Sequence, residues 1–184
     1  MSETWDRELE LLRRRGVDVG SGLSPAELTA AETRVGATFP PDLSAFLTSA
    51  LPQGKRFPNW RQLGGEALRQ QLARPLEGLL FDVEHNKFWP DQWGPKPQAL
   101  DAALQEVRSR FQSVPRMIPI YAHRYLPTAP CQQGNPVFSV WQTDIIFYGT
   151  NLRRYLACEF GPLSWREAVS GEVREIDFWS ELAR

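Results

Sequence analysis

The chain of 184 residues contains little cysteine and little histidine, and it has no excess of charge of either sign. Its two cysteines, Cys131 and Cys158, give neither a metal-ligand spacing nor a disulfide framework. We therefore expect both thiols to be small core residues of a reduced, cytoplasmic protein. With 21 basic and 22 acidic residues, the chain lacks the basic excess of a general nucleic-acid binder, and we expect no direct nucleic-acid partner.

Long apolar runs are missing as well. No stretch approaches the roughly 20 residues that a membrane-spanning helix needs, and the first residues lack the pattern of a signal peptide. We expect no membrane attachment. The chain is 42% hydrophobic and 11% aromatic, which is the composition of a folded domain rather than of a disordered chain.

Catalytic motifs are also missing. The chain has no glycine-rich phosphate loop, no Gly-x-Ser-x-Gly and no His-Glu-x-x-His sequence. A divalent metal site at Asp82, Glu84, His85 and Asp91 is conceivable from residue types, but the spacing does not place these side chains on one face of a helix. Nothing in the spacing brings His123 to either cysteine as a nucleophile pair. We therefore predict no enzyme, no metal and no cofactor.

Helical patterns dominate the first two thirds of the chain. Trp5, Leu9 and Leu12 form one apolar stripe over residues 3–15, and the glycines at 20 and 22 indicate a flexible joint. We therefore divide the chain into an N-terminal helix with a linker, 1–22, and a domain, 23–184, onto which the helix is expected to pack. Ser24 and Glu27 form a capping box for the next helix. Further helices are predicted after Phe39-Pro-Pro, over 65–74 with Pro75 as the stop, and over 97–113.

Strand patterns follow in the second half. Residues 117–121 predict a strand, and Pro119 makes it an edge or bulged strand. Residues 137–141 and 144–148 are β-rich runs separated by Gln142-Thr143, which indicates a hairpin. Helices are predicted again after Asn151 and in the last 26 residues. The order of elements predicts an α+β fold with a mainly antiparallel sheet flanked by helices.

Aromatic and arginine side chains supply the candidate binding residues. The loop 88–93 is either a lid over the core or an exposed recognition surface. Residues 124–125 follow a predicted strand, and residues 141–144 form the tip of the predicted hairpin. Arg124 is either an anchor for a charged partner or the ion-pair partner of Asp144. Because tryptophan, tyrosine and arginine are enriched in interface hot spots, we predict six partner-binding residues: Trp89, Trp93, Arg124, Tyr125, Trp141 and Asp144.

Two stretches of the sequence resemble a known family. The N-terminal stretch contains Leu23-Ser-Pro-Ala-Glu-Leu, Ala31-Glu-x-x-Val-Gly and Phe39-Pro-Pro-Asp-Leu-x-x-Phe-Leu. The later stretch contains Val114-Pro-x-x-Ile-Pro-Ile-Tyr-Ala-His-Arg-Tyr-Leu-Pro and Gly134-Asn-Pro-Val-Phe-Ser-Val-Trp-Gln-Thr-Asp-Ile-Ile-Phe-Tyr-Gly. Over roughly residues 23–160 the chain is similar to the SUKH superfamily, which includes the Smi/Knr regulators of cell-wall synthesis and many bacterial relatives.

The resemblance implies a single α+β domain that binds proteins and has no catalytic residues. It implies an immunity-type protein that neutralises a polymorphic nuclease or deaminase toxin by occluding its active site. A regulatory scaffold resembling the cell-wall regulators is the alternative. A third possibility, from the residues themselves, is a small-molecule binder or an enzyme that uses a pocket near His123 and Tyr148.

Overall fold

A computed structural model describes residues 4–183, and it confirms an α+β fold with helices flanking antiparallel sheets. The elements of the first part are α1 (Asp6–Arg14), β1 (Asp18–Ser21), α2 (Pro25–Val35), α3 (Pro41–Ser49), β2 (Ala50–Gln53), α4 (Glu66–His85) and α5 (Leu100–Phe111). Those of the second part are β3 (Met117–Tyr121), β4 (Arg124–Pro127), β5 (Val137–Trp141), β6 (Asp144–Gly149), α6 (Leu152–Glu159), α7 (Trp165–Ala168) and α8 (Trp179–Leu182).

The main sheet is an antiparallel meander of four strands in the order β3-β4-β5-β6. Strand β3 lies at one edge and has a register shift between Pro119 and Tyr121, which confirms the predicted edge or bulged strand. Strands β5 and β6 form the predicted hairpin, in which Trp141 is paired with Asp144. The sequence prediction missed β4, whose pairing with β3 and β5 completes the sheet.

A second, two-stranded sheet replaces the predicted flexible joint. Strand β1 pairs with β2 from Asp18 opposite Gln53 to Ser21 opposite Ala50. Gly22 packs so closely on α3 that a Cβ at this position would collide with the backbone carbonyl of Thr48. The prediction of a flexible joint is therefore wrong, because Gly20 is paired within the sheet and Gly22 allows close backbone packing on α3.

Helix α1 belongs to the core, as expected. The Trp5 ring meets the Phe46 ring edge-on, with 5.1 Å between ring centroids, and Leu12 is fully buried. Arg153 of α6 donates to the Glu8 carboxylate at 2.7 Å and lies over the Trp5 ring. The helix is thus fixed by both apolar burial and a partly buried ion pair.

The four-stranded sheet separates two hydrophobic clusters. One cluster joins α1, α3 and α6 to the sheet residues Ile118 and Leu126. The other joins α4, α5 and α8 to sheet residues that include Tyr125 and Phe138. Ile118 and Leu126 are cross-strand partners, whereas Tyr125 lies next in sequence and points the other way, as the alternation of side chains along a strand requires.

Helix α4 continues for ten residues beyond Pro75 to His85, so the prediction that Pro75 ends it is wrong. A proline inside a helix has no N–H for the carbonyl four residues earlier, here that of Gln71. The hydroxyl of Tyr125 donates to this carbonyl at 2.8 Å and replaces the missing bond. Burial of Leu79 and Val83 against the sheet holds the second half of the helix in place.

Helix α5 is shorter than predicted at both ends. No helix within residues 4–183 combines the length and the apolar character needed to cross a membrane.

Candidate functional site

Two large aromatic side chains remain exposed on opposite sides of one groove. Phe81 on α4 is 44% exposed and Trp141 at the end of β5 is 58% exposed. We call this groove the Trp141 groove; its lining residues are Arg74, Glu77, Gly78, Phe81, Trp141 and Gln142. Clustered exposed apolar surface marks interaction sites, whereas scattered single residues do not. The Trp141 groove is therefore the candidate functional site.

The two histidines of the chain lie against these two aromatic rings. The His85 ring is 4.5 Å from the Phe81 ring, centroid to centroid. The His123 ring, in the turn between β3 and β4, lies 5.7 Å from the Trp141 ring in an edge-on arrangement. The aromatic surface thus extends from the end of α4, across the groove, to the β3–β4 turn.

Asp82 fixes the β5–β6 turn to α4. Its buried carboxylate accepts hydrogen bonds from the Thr143 backbone N–H at 2.9 Å and from the Thr143 hydroxyl at 2.5 Å. The Asn86 amide donates to the other carboxylate oxygen at 2.6 Å. Burial by itself raises the pKa of Asp82, but the hydrogen bonds from Thr143 and Asn86 outweigh it and lower the pKa below its ordinary value.

Gly78 allows the same turn to approach the helix. A Cβ at Gly78 would lie 2.6 Å from the Cα of Gln142, which is too close for any side chain. Gln142 itself has φ of 54°, in the left-handed region that the tight two-residue turn needs. The groove therefore has a floor of contacting backbone, and Trp141 is held in place relative to Phe81.

Three arginines converge on the β3–β4 turn at one end of the groove. Arg74 donates to the Ala122 carbonyl at 3.3 Å. Arg56 donates to the Tyr121 hydroxyl, and its own carbonyl accepts from the Ala122 N–H at 2.7 Å. Arg124 begins β4. Burial, followed by the charges of these three arginines, lowers the pKa of His123, which disfavours a further positive charge at this turn.

Arg124 is bound inside the structure rather than to Asp144. Its guanidinium lies 3.7 Å from the centroid of the Tyr148 ring, and it donates to the Ser139 hydroxyl at 3.0 Å. Its Nε lies 3.4 Å from the Glu159 carboxylate, and its side chain is 11% exposed. Of the two alternatives for Arg124, the ion pair with Asp144 is therefore wrong, because Ser139 is the cross-strand neighbour of Arg124 whereas Asp144 pairs with Trp141. The stacked guanidinium also covers one face of Tyr148, one of the two residues beside which the sequence suggests a small-molecule pocket.

The aromatic loop 88–93 covers the second hydrophobic cluster. Trp93 is buried and stacks on Phe178, with ring centroids 5.4 Å apart. Trp89 is half-buried, contacts Trp93 edge-on and donates its indole N–H to the Gly94 carbonyl at 2.8 Å. Of the two interpretations of this loop, the structure supports the lid. Tyr125 is also buried, with its hydroxyl on Gln71.

The structure thus brings together part of the predicted set. Trp141 and Asp144 are cross-strand neighbours at the hairpin end and both are exposed, whereas the side chains of Trp93 and Tyr125 lie in the core. Phe81 and Arg74 line the groove but were not among the predicted residues. The sequence does contain a pattern that places these two residues together, because positions 74, 77, 78, 81 and 85 follow the three- and four-residue spacing of one helix face. The pattern is visible only if the helix is continued past Pro75.

The residues considered for a metal site and the two cysteines make different contacts from those that a metal site or a pair of core thiols would require. Within residues 4–183, no three His, Cys, Asp or Glu side chains are grouped so that they could hold a metal ion, and the Asp82 carboxylate is occupied by Thr143 and Asn86. Cys131 is exposed, with its sulfur 3.6 Å from the Phe39 carbonyl, so its prediction as a core residue is wrong. Cys158 is half-buried, and burial raises the pKa of its thiol.

Comparisons of the chain with known protein families, curated proteins and solved structures found no match.

Proposed function

We propose that this chain is a non-enzymatic, cytoplasmic protein-binding domain of the immunity type, which neutralises a toxin nuclease or deaminase domain by covering its active site. The partner docks on the Trp141 groove. The observation that carries the proposal is the exposure of Phe81 and Trp141 on the two sides of one groove whose backbone is held in place. Large aromatic side chains of this kind are the usual energetic centres of protein interfaces.

The rigidity of the groove favours binding. The Asp82–Thr143 hydrogen bonds and the close contact of Gly78 with Gln142 hold both aromatic rings before a partner arrives. A surface that is already ordered loses less conformational entropy on association, so more of the contact energy appears as affinity.

The immunity role is supported by the resemblance of residues 23–160 to the SUKH superfamily. The alternative supported by the same resemblance is a regulatory scaffold with a partner in cell-wall synthesis. Both functions use a protein-binding surface, and the identity and activity of the partner separate them.

The test is a comparison of partner capture by four forms of the full chain. The wild type and the F81A/W141A variant are immobilised and exposed to native lysate, and retained proteins are identified by mass spectrometry. The control variants are L100A and W165A, whose side chains are 43% and 44% exposed and do not line the groove.

We expect one stoichiometric partner that is retained by the wild type and both controls and lost with F81A/W141A. We also expect the wild type to inhibit the nuclease or deaminase activity of that partner. Equal retention by F81A/W141A would contradict the proposed surface. A groove-dependent partner from cell-wall synthesis that has no toxin activity would replace immunity with the scaffold function.

A further inference from the structure

The charges around the Trp141 groove are unevenly distributed. At the β3–β4 turn, Arg124 is matched by Glu159 at 3.4 Å. Arg56 and Arg74 instead donate to the Tyr121 hydroxyl and the Ala122 carbonyl. Within residues 4–183, neither of these two guanidinium groups lies in an ion pair with a carboxylate. Glu77 lines the groove together with Arg74, so three arginines against Glu159 and Glu77 leave an excess of one positive charge at this end of the groove.

This positive end adjoins the aromatic part of the surface. Arg74 lines the groove together with Phe81 and Trp141, and His123, which feels all three arginines, lies against the Trp141 ring. A partner that covers Trp141 therefore also covers the Arg74 guanidinium and removes water from it. Burying an unpaired charge is costly, so the partner must supply an anion at this position.

We infer that the partner segment that binds the Trp141 groove is an acidic protein segment, with an apolar side chain against Phe81 and Trp141 and aspartate or glutamate side chains on Arg74 and Arg56. This inference rests on the proposed function and specifies the chemistry of its partner. A guanidinium that is already held by a backbone carbonyl has free N–H groups for a carboxylate, and such charge-assisted bonds are the stronger hydrogen bonds in interfaces.

The groove favours a protein segment over a nucleic acid. Glu77 lines the groove beside Arg74, and Asp144 is the exposed cross-strand neighbour of Trp141. A nucleic-acid backbone carries a negative charge at every nucleotide and would meet both carboxylates. A peptide can place its acidic residues at the arginines alone.

The inference also indicates where on a toxin the domain would bind. An enzyme that acts on nucleic acid has a basic substrate groove, because it must neutralise phosphates. The positive end of the Trp141 groove would be repelled from that surface. We therefore expect the Trp141 groove to bind an acidic segment next to the toxin's substrate groove, so that the body of the domain covers the active site from there.

The experiment uses random twelve-residue peptides displayed on phage and selected on the immobilised full chain. Peptides that also bind the F81A/W141A variant are removed by counter-selection. The remaining peptides are synthesised with a fluorescent label, and their affinity is measured by fluorescence polarisation for the wild type, R56Q/R74Q and R108Q. Arg108 is the matched control, because it is an exposed arginine of α5 that donates to a backbone carbonyl at 3.3 Å, as Arg74 does.

We expect the selected peptides to combine aspartate or glutamate with an aromatic or aliphatic residue. Their affinity should fall by about tenfold in R56Q/R74Q, stay within about twofold in R108Q, and weaken as salt is raised. If groove-dependent peptides have no acidic excess, or bind R56Q/R74Q unchanged, the charge inference fails while the docking surface stands. If no peptide depends on Phe81 and Trp141, the proposed surface itself fails. The inference would be overturned in favour of nucleic acid if the wild type bound a labelled twelve-nucleotide single-stranded DNA more tightly than the selected peptides and if this binding were lost in R56Q/R74Q.

Discussion

Two tryptophan-bearing segments of this molecule, the loop 88–93 and the β5–β6 hairpin, are both rich in aromatic residues in the sequence and differ in where their rings lie. Trp93 of the loop is buried against Phe178, whereas Trp141 of the hairpin is largely exposed beside Phe81. The difference comes from the elements opposite each segment. Helices α5 and α8 supply apolar residues under the loop, while the hairpin end meets the backbone of α4 at Gly78 and leaves its ring outside. Aromatic content therefore does not by itself identify a binding surface, because the elements packed against a segment determine whether its rings are buried or exposed.

The largest expected difference is between the two tryptophans themselves. Trp93→Ala removes a buried ring and should lower the free energy of unfolding by about 3–5 kcal/mol. Trp141→Ala removes an exposed ring and should change it by at most about 0.5 kcal/mol. Urea unfolding followed by circular dichroism measures both values. Similar losses for the two variants would contradict the assignment of one ring to the core and the other to the surface.

Gly78→Ala tests the contact that holds the hairpin. A Cβ would lie 2.6 Å from the Gln142 Cα, so the turn must move, and we expect a loss of about 1–3 kcal/mol in the free energy of unfolding. The control is Gly64→Ala, where an added Cβ meets no atom within 4 Å. Thermal and urea unfolding measure both variants. If Gly78→Ala is as well tolerated as the control, the hairpin is not held in the described position.

Tyr125→Phe tests how α4 passes Pro75 and so how Phe81 reaches the groove. The substitution removes the hydroxyl that bonds the Gln71 carbonyl at 2.8 Å. A buried carbonyl without a donor should cost about 1–3 kcal/mol. Hydrogen exchange of the amides in residues 76–85 should accelerate more than that of residues 100–111 in α5. Equal exchange in the wild type and the variant would show that this bond does not support the second half of α4.

Asp82→Asn should have a smaller, pH-dependent effect on the hairpin. The folded-state pKa of Asp82 is lowered below its ordinary value of 3.8, so its carboxylate contributes stability above about pH 4 and loses it as pH falls through the folded pKa. At pH 7 the variant should be less stable than the wild type by about 1–2 kcal/mol. The two proteins should converge in acid as the carboxylate is protonated. The free energy of unfolding of both proteins is measured from pH 7 down to pH 2. A constant difference across that range would contradict the claim that the ionised carboxylate of Asp82 holds the hairpin.

The sequence predicted elements whose signals are local and missed those whose causes lie far along the chain. The Ser24–Glu27 capping box and the β5–β6 hairpin were predicted, because each is specified by residues a few positions apart. The end of α4 was predicted wrongly, because its continuation depends on Tyr125, 54 residues after Gln71. The β1–β2 sheet depends in the same way on pairing between distant segments.

The candidate site was predicted in part for the same reason. Trp141 and Asp144 follow from the hairpin, which is a local feature. Phe81 and Arg74 required the full length of α4, and the burial of Trp93 required knowledge of α8. The alternative that Arg124 pairs with Asp144 is wrong because strand β4 was missed, and this strand places Arg124 beside Ser139.

The measurement that tests the central claim most directly is the affinity of the captured partner for the wild type and for F81A/W141A, determined by isothermal titration calorimetry. Interface hot spots of this kind contribute about 2 kcal/mol or more each. Loss of both side chains therefore corresponds to about 4 kcal/mol, and we predict that the dissociation constant of F81A/W141A is about 1,000-fold higher while its unfolding free energy stays close to that of the wild type. An unchanged dissociation constant in the correctly folded variant would contradict the claim that the Trp141 groove is the binding surface of this protein.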